Sequence, residues 1–234
     1  MYKVFKNFLS DEHIRDIYDI AHSSMKDWRP AGIVQPKSKK TSNRTRITDQ
    51  KVFPPPTYFR NKLTTLFDND DYFKISGGYA WVESWALLRY NGKDEGRFAW
   101  HTDDLDFFLY NNEHIDETGK PDAEKIFIHN ARPKRKISIS IQLNNQNEFE
   151  GGDLLIQRNT EKAEIFINGQ NLSDQHHYLR QTADRVVLNR GDMVVFDSWM
   201  GHEVTPVKSG IRDSLVIWVA DKEEWDKFNL MMDV

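Results

Sequence analysis

Two histidines and one aspartate are the side chains in this sequence whose types and spacing could hold a metal ion. His101 and Asp103 lie in the segment WHTD, and His202 follows the apolar run Met193 to Phe196 much later in the chain. If WHTD is a strand or the end of one, alternation places His101 and Asp103 on one face. Two imidazoles and one carboxylate form the facial triad that holds non-haem Fe(II) and leaves coordination positions open. We therefore predict these three residues as metal ligands, with His202 in the loop after its apolar run.

Arg212 is the second feature that an apolar context does not explain. In the strand-like run IRDSLVIWV, Arg212 shares a face with Ser214, and both faces of the run are mainly apolar, which predicts a buried strand. A buried guanidinium needs an anionic partner, because a desolvated unpaired charge costs several kcal/mol. The partner is either an internal carboxylate or a bound ligand. A 2-oxoglutarate that chelates iron through its keto acid end would direct its far carboxylate to Arg212, and Ser214 could add a hydroxyl donor.

The order of these segments resembles a known family. The segments are HTD, FEGGDLLI, GDMVVF and GHEVTPVKSGIRDSLVIW, preceded at the N-terminus by FKNFLSDEHI. They resemble the Fe(II)- and 2-oxoglutarate-dependent dioxygenases of the prolyl 4-hydroxylase type, and most closely the bacterial PKHD-type hydroxylase branch. The resemblance implies that His101, Asp103 and His202 bind iron and that Arg212 anchors the 2-oxoglutarate carboxylate. Tyr90, in LLRYNGKDEGRF, matches a family tyrosine that hydrogen-bonds the same carboxylate.

The resemblance also implies an activity. It predicts an oxidoreductase that hydroxylates an unactivated C–H bond, of a prolyl residue in a peptide or protein, with release of succinate and CO2. Fe(II), 2-oxoglutarate and O2 are the implied cofactor and co-substrates, and ascorbate is a candidate reductant. Two alternatives stay open: an oxygenase acting on a free amino acid, another small molecule or a nucleobase, and a non-enzymatic cupin-like binding module. The complete ligand set argues against the module, because a module without catalysis could lose any ligand.

Short apolar runs separated by turn signals predict the fold. They indicate a mainly β protein with flanking helices, a double-stranded β-helix or jelly-roll barrel related to the cupins. We expect a single domain over 1–234, with helical and strand support at 1–78, the barrel core at 79–220 and a C-terminal helix at 221–234. The alternating run Lys136 to Leu143 predicts a half-buried strand with its isoleucines on one face. Ser10 is the expected N-cap of the first helix.

Composition excludes several other classes of protein. The net charge of −4 and the pI near 6.1 give no general attraction to nucleic acid or to anionic membranes. The absence of cysteine excludes disulfides and thiolate metal sites. The N-terminal sequence has no signal-peptide core, and no run reaches membrane-spanning length, so we expect a cytoplasmic protein. The expected partner is a peptide, protein or small-molecule substrate, and no pattern in the sequence fixes the oligomeric state.

Three polar stretches have two interpretations each. The basic segment 29–46 is either a solvated loop or a substrate contact, and we favour the loop. The long stretches 104–136 and 158–185 are either substrate lids or passive insertions. The adjacent pair His176 and His177 has no evident third metal ligand nearby, and we assign it no role.

Overall fold

The computed structural model describes residues 1–31, 46–104, 133–157 and 179–232. These residues include thirteen strands, three α-helices whose bounds lie within the described ranges, a helical stretch at 179–182 and two short 3-10 turns, at Gly92–Asp94 and Gln146–Glu148. The strands are β1 (Tyr2–Phe5), β2 (Arg29–Pro30), β3 (Arg46–Ile47), β4 (Asp49–Phe53), β5 (Tyr79–Asn91), β6 (Arg97–His101), β7 (Arg135–Gln142), β8 (Phe149–Gly151), β9 (Leu154–Ile156), β10 (Asp184–Val186), β11 (Met193–Asp197), β12 (His202–Val204) and β13 (Val207–Asp221). The helices are α1 (Asp11–Ser24), α2 (Thr57–Asp68) and α3 (Lys222–Met232).

The strands form two antiparallel sheets. The larger sheet has the order β1-β11-β7-β13-β5-β4-β2, with β8 paired to the start of β13, and the smaller has the order β10-β9-β12-β6-β3. Neighbours in each sheet are far apart in sequence, as expected of a double-stranded β-helix. The predicted mainly β fold with flanking helices is confirmed.

Alternation along the strands divides the buried residues into two clusters. One face of the larger sheet packs against α1 and α2, and we call it the helix-packed face; its members include Leu87, Ile139, Ile141, Leu215 and Ile217, which contact Ile14, Ile17, Phe59 and Leu63. The opposite face covers the smaller sheet, and we call it the barrel-interior face; its apolar members include Leu88, Tyr90, Val194 and Phe196, which contact Leu154, Ile156 and Val204. Burial of these apolar surfaces is the main force holding the two sheets and the helices together.

The N-terminal segment shows how local sequence sets local structure. The side chain of Ser10 accepts a hydrogen bond from the His13 N–H, and Asp11 and Glu12 stand in the first turn of α1. These acidic residues complement the positive end of the helix dipole. The predicted N-cap is confirmed, and β1 pairs with β11 to add an edge strand to the larger sheet.

Three predictions about strands are wrong in detail. His202 does not lie in a loop but is the first residue of β12. The strand that carries Arg212 begins at Val207, five residues before the arginine. β7 is buried on both faces rather than half-buried, because the second sheet covers its polar side, so Ser138 is as fully buried as Ile139.

Several expectations concern residues outside the described ranges. Most of the basic segment 29–46, the two candidate lids within 104–136 and 158–185, and the pair His176 and His177 lie there. In the part of the chain that the structure describes, no helix combines the length and apolar character needed to cross a bilayer.

Candidate metal centre

The strand register brings the three predicted metal ligands together. β6 and β12 are antiparallel neighbours, and His101 lies directly opposite His202. Asp103 lies just beyond the end of β6, so strand alternation is not what places it beside His101. Its backbone N–H donates to the Ser198 carbonyl at 2.8 Å, which folds the chain back toward the two histidines. The potential ligand atoms of His101, Asp103 and His202 lie within 4.8 Å of one another.

Backbone hydrogen bonds orient both imidazoles. His101 Nδ1 lies 2.7 Å from the Ala99 carbonyl oxygen, and His202 Nδ1 lies 3.0 Å from the Met200 carbonyl oxygen. A carbonyl only accepts, so each Nδ1 carries the proton and donates it. The lone pair of each Nε2 is then free, and these atoms face Asp103, at 3.9 Å from Oδ1 for His101 and 3.6 Å from Oδ2 for His202. Such outer hydrogen bonds fix the tautomer of a metal-binding histidine.

The electrostatics of the cluster suit a divalent cation. Burial, together with the nearby His202, holds the pKa of His101 well below its usual range, so this imidazole is neutral. Burial alone would raise the pKa of Asp103, but His202, His101, Arg135 and the Ser138 hydroxyl outweigh it and lower the pKa to about 2. Neutral imidazoles and an ionised carboxylate are the protonation states that a metal requires. The residues therefore fit Fe(II).

Apolar rings and Arg46 line the pocket, and Arg135 stacks on one of the rings, Trp218. Phe98 stacks on His101 with ring centroids 3.5 Å apart, and Phe196 meets His202 edge-on at 4.8 Å. The guanidinium of Arg46 lies over Phe98 at 4.4 Å, and that of Arg135 lies over Trp218 at 4.1 Å. Sequence reasoning missed these contributions. Arg46 was assigned to a solvated loop, and only its pairing with β6 brings it to the metal pocket.

Arg212 is buried on the barrel-interior face of β13, two residues before Ser214 and in register with Tyr90. The arginine is only 2% exposed, and its Nη1 atom has no hydrogen-bond partner among the described residues. Arg212 pairs in register with Tyr90, and its guanidinium lies 5.3 Å from the tyrosine ring centroid. Burial lowers the pKa of Arg212, and Tyr90 is the nearby group that most opposes this shift. Within the described ranges no carboxylate forms an ion pair with Arg212, so the internal partner considered from sequence is not found.

Glycine makes room for this arginine. Gly152 has a φ of +64°, and a Cβ at this position would lie 2.9 Å from Arg212 Cδ and 2.8 Å from a methyl of Val207. The second glycine of the motif FEGGDLLI therefore has a steric role, because only glycine gives both this backbone conformation and this close approach. Tyr90 and Ser214 line the metal pocket, whereas Arg212 lines an adjoining cavity of about 210 Å³ that shares Leu154 with it.

The cluster of two histidines and a carboxylate between the sheets of a double-stranded β-helix defines the chain as a non-haem iron oxygenase by fold and site. The sequence agrees: residues 85–220 match the profile of the 2OG-Fe(II) oxygenase superfamily, and this match covers more than half of the chain. The chain belongs to the 2OG-Fe(II) oxygenase superfamily. It is thus a dioxygenase that depends on Fe(II), 2-oxoglutarate and O2, as the motif resemblance predicted.

Solved structures show the same fold. A prolyl hydroxylase from Trichoplax adhaerens, in complex with a peptide fragment of a hypoxia inducible factor, superimposes with a TM-score of 0.57 at 13% identity, covering 97% of this chain and 86% of its own. A Pseudomonas putida prolyl-4-hydroxylase gives a TM-score of 0.55 at 16% identity, with coverage of 94% and 92%. The epimerase SnoN from nogalamycin biosynthesis also gives 0.55, at 11% identity, with coverage of 94% and 77%. Among curated protein sequences, none gives a significant match.

Proposed function

We propose that this oxygenase hydroxylates a prolyl residue in a peptide or protein, with His101, Asp103 and His202 holding Fe(II) and Arg212 anchoring 2-oxoglutarate. The observation that carries the assignment of roles is the pairing of the three-residue cluster with a buried guanidinium that has unused hydrogen-bonding capacity. A buried, uncompensated cation costs several kcal/mol in an apolar site, so a bound anion is its natural complement.

The chain's own residues prepare the site for its ligands. The Nε2 atoms of His101 and His202 present lone pairs, and Asp103 supplies negative charge. Arg212 would bind the distal carboxylate of 2-oxoglutarate through paired N–H donors, with the hydroxyls of Tyr90 and Ser214 nearby. When bound, Fe(II) with 2-oxoglutarate and O2 supplies the oxidising chemistry, in which 2-oxoglutarate is converted to succinate and CO2 and one oxygen atom enters a substrate C–H bond.

The walls of the pocket keep water away from the reacting groups. Phe98, Phe196, Val204, Val216 and Trp218 surround the ligand atoms with apolar surface. This surface lowers the local dielectric constant and strengthens the interactions of the charged groups within the pocket.

The prolyl substrate rests on the motif resemblance. The segments HTD, FEGGDLLI and GHEVTPVKSGIRDSLVIW resemble the prolyl 4-hydroxylase type, and arginine at position 212 favours the PKHD-type branch over the animal collagen-type enzymes, which usually have lysine there. The structural likenesses support the fold only, because SnoN, an epimerase, superimposes as well as the Pseudomonas prolyl hydroxylase does. A small-molecule substrate is therefore the second candidate.

The first test is anaerobic titration of Fe(II) and 2-oxoglutarate into the purified protein. We expect the weak visible charge-transfer band of chelated 2-oxoglutarate, followed by succinate formation when O2 is admitted. Absence of both from folded protein would contradict the iron and 2-oxoglutarate sites.

The substrate is tested separately with peptide pairs that differ only in proline or alanine at one position. The proposal expects proline-dependent stimulation of succinate formation and a gain of one oxygen atom in the proline peptide, measured by mass spectrometry. Succinate formation that no proline peptide stimulates would leave the oxygenase intact and favour a small-molecule substrate.

A further inference from the structure

Asp103 differs from the two histidine ligands in how it is held. His101 and His202 belong to strands, and their rings are fixed by carbonyls two residues away on the same strand or turn. Asp103 follows the end of β6 and is outside the strand ladder. A carboxylate has two equivalent oxygens, so a residue in this position needs other groups to decide which oxygen faces the metal.

Two buried serines provide those groups. Ser138 Oγ donates to Asp103 Oδ2 at 2.7 Å, and Ser138 Oγ lies 2.9 Å from Ser198 Oγ. Both serines are fully buried, at 0% exposure. Ser138 has one hydroxyl proton and gives it to the carboxylate, so the hydrogen bond between the serines must be donated by Ser198. The direction of the chain is therefore Ser198 to Ser138 to Asp103.

Ser198 also fixes the backbone of Asp103. The Ser198 carbonyl accepts the N–H groups of Asp103 and Asp104, at 2.8 and 3.1 Å. Ser198 is itself tied to β7, because its N–H donates to the Lys136 carbonyl at 3.0 Å. Main chain and side chain of Asp103 are thus held by one turn and one strand of the larger sheet, and neither contact involves the smaller sheet that carries the histidines.

From this arrangement we infer that Ser138, supported by Ser198, is a positioning residue that orients the Asp103 carboxylate and favours Oδ1 as its metal ligand. The inference rests on the iron site of the proposed function. The hydrogen bond uses one lone pair of Oδ2 and withdraws charge from this oxygen, which leaves Oδ1 as the more basic of the two. Oδ2 lies 3.6 Å from His202 Nε2, so the Ser138 hydrogen bond is what would disfavour it as the metal ligand. No described side chain donates a hydrogen bond to Oδ1; the nearest cationic nitrogen, Arg135 Nη1, is 3.9 Å away.

Single-oxygen ligation has a functional consequence. Two histidines and one carboxylate oxygen leave three positions on a six-coordinate metal. Chelating 2-oxoglutarate needs two of them and O2 the third. A carboxylate that bound through both oxygens would take the last position, so a hydrogen bond that holds Oδ2 would help to keep that position free for O2.

The test measures metal binding and the open position directly, with Ser209→Ala as the control serine substitution. Ser209 is an exposed residue of β13 and lines neither the metal pocket nor the cavity of Arg212. We expect Ser138→Ala to weaken anaerobic Co(II) binding by about tenfold or more, the usual effect of losing an outer-shell partner. Ser209→Ala should bind Co(II) as the wild type does.

Nitric oxide serves as the probe for the third position. The wild type loaded with Fe(II) and 2-oxoglutarate should give the electron paramagnetic resonance signal of an iron–nitrosyl complex, and Ser138→Ala should give a much weaker one. Ser198→Ala should act in the same direction, and the double variant should be no worse than Ser138→Ala, because the two serines form one chain.

Each outcome has a separate meaning. A wild type that binds neither Co(II) nor Fe(II) contradicts the proposed function itself. A wild type that binds metal, together with a Ser138→Ala variant of equal affinity and equal nitrosyl signal, overturns only the inference about Ser138. If Ser138→Ala does not fold, Ser198→Ala provides the test. Wild-type Co(II) affinity and a wild-type nitrosyl signal in Ser198→Ala then overturn the inference about Ser138.

Discussion

Arg212 and Asp213 are consecutive residues of β13 on opposite faces of the larger sheet, and they differ in whether their charge has a partner within the described residues. Both are charged and both are almost fully buried, at 2% and 1% exposure. Asp213, on the helix-packed face, accepts two hydrogen bonds from Arg89, at 2.9 and 2.6 Å, and one from the Tyr18 hydroxyl at 2.7 Å. Arg212, on the barrel-interior face, has no anionic partner among the described residues.

The comparison distinguishes a buried charge that stabilises the fold, Asp213, from a buried charge to which the proposed function assigns a ligand, Arg212. On the helix-packed face each buried polar group of this network has a partner within the chain, so the network contributes to folding. On the barrel-interior face Arg212 has a nitrogen without a hydrogen-bond partner among the described residues, and the proposed function assigns this capacity to 2-oxoglutarate. Unpaired buried polar groups in a folded protein require an explanation, and the proposed binding of 2-oxoglutarate by Arg212 would supply it here.

The largest expected effect is on the barrel-interior face. His202→Ala removes one of the three predicted iron ligands and should abolish iron-dependent succinate formation. The free energy of unfolding of the metal-free protein should change by no more than about 2 kcal/mol, within the usual range for point substitutions. Turnover and urea denaturation of the same preparations measure the two quantities.

The control for this substitution is His22→Ala. His22 lies on the exposed side of α1, far in sequence from the predicted ligands, and should keep wild-type turnover. Iron-dependent turnover that survives His202→Ala would remove this histidine from the metal site.

A matched pair of arginine substitutions compares the two faces. Arg89→Met leaves the Asp213 carboxylate buried without its cation, so we expect it to lower the free energy of unfolding by about 3–5 kcal/mol. Urea denaturation of the metal-free protein measures the loss. A loss below about 1 kcal/mol would show that Tyr18 alone satisfies Asp213.

The second member of the pair is Arg212→Met, which removes a buried cation that has no internal partner. The free energy of unfolding should stay within about 1 kcal/mol of wild type or increase, because the desolvation cost of the cation disappears. The dissociation constant of 2-oxoglutarate should instead rise by roughly 30-fold or more, the equivalent of at least about 2 kcal/mol for a lost buried charge pair. Unchanged 2-oxoglutarate affinity would exclude Arg212 as the anchor.

Sequence predicted the parts of the site that depend on residue type and order. His101, Asp103 and His202 are chemically distinctive, and Arg212 stands out because its strand is otherwise apolar. The N-cap at Ser10 was predictable as well, because its hydrogen bond joins residues only three apart. Such features need no knowledge of how distant strands pair.

Sequence could not predict the residues that act through strand pairing. Ser138 belongs to an alternating run whose polar side is typical of a strand facing solvent, and only the covering sheet turns it into an interior residue beside Asp103. Arg46 lies in a basic segment, and its place over Phe98 follows from the register of β3 on β6. Both depend on contacts between segments far apart in the chain, for which periodicity contains no information.

The smallest expected effects come from uncharged substitutions at two neighbouring residues of β7, one on each face of the larger sheet. Ile141→Val, on the helix-packed face, removes one methylene from a fully buried side chain and should cost about 0.5–1.5 kcal/mol of unfolding free energy. Ser140→Ala, on the barrel-interior face, removes a hydroxyl of a residue that lines the metal pocket and makes no side-chain hydrogen bond among the described residues, so the free energy of unfolding should stay within about 0.5 kcal/mol of wild type. Urea denaturation of metal-free protein resolves the two if both variants are measured together. If Ser140→Ala proved the more costly, the barrel interior would be packed for stability as tightly as the helix-packed face, and the division of the sheet into a structural and a ligand-binding side would fail at this strand.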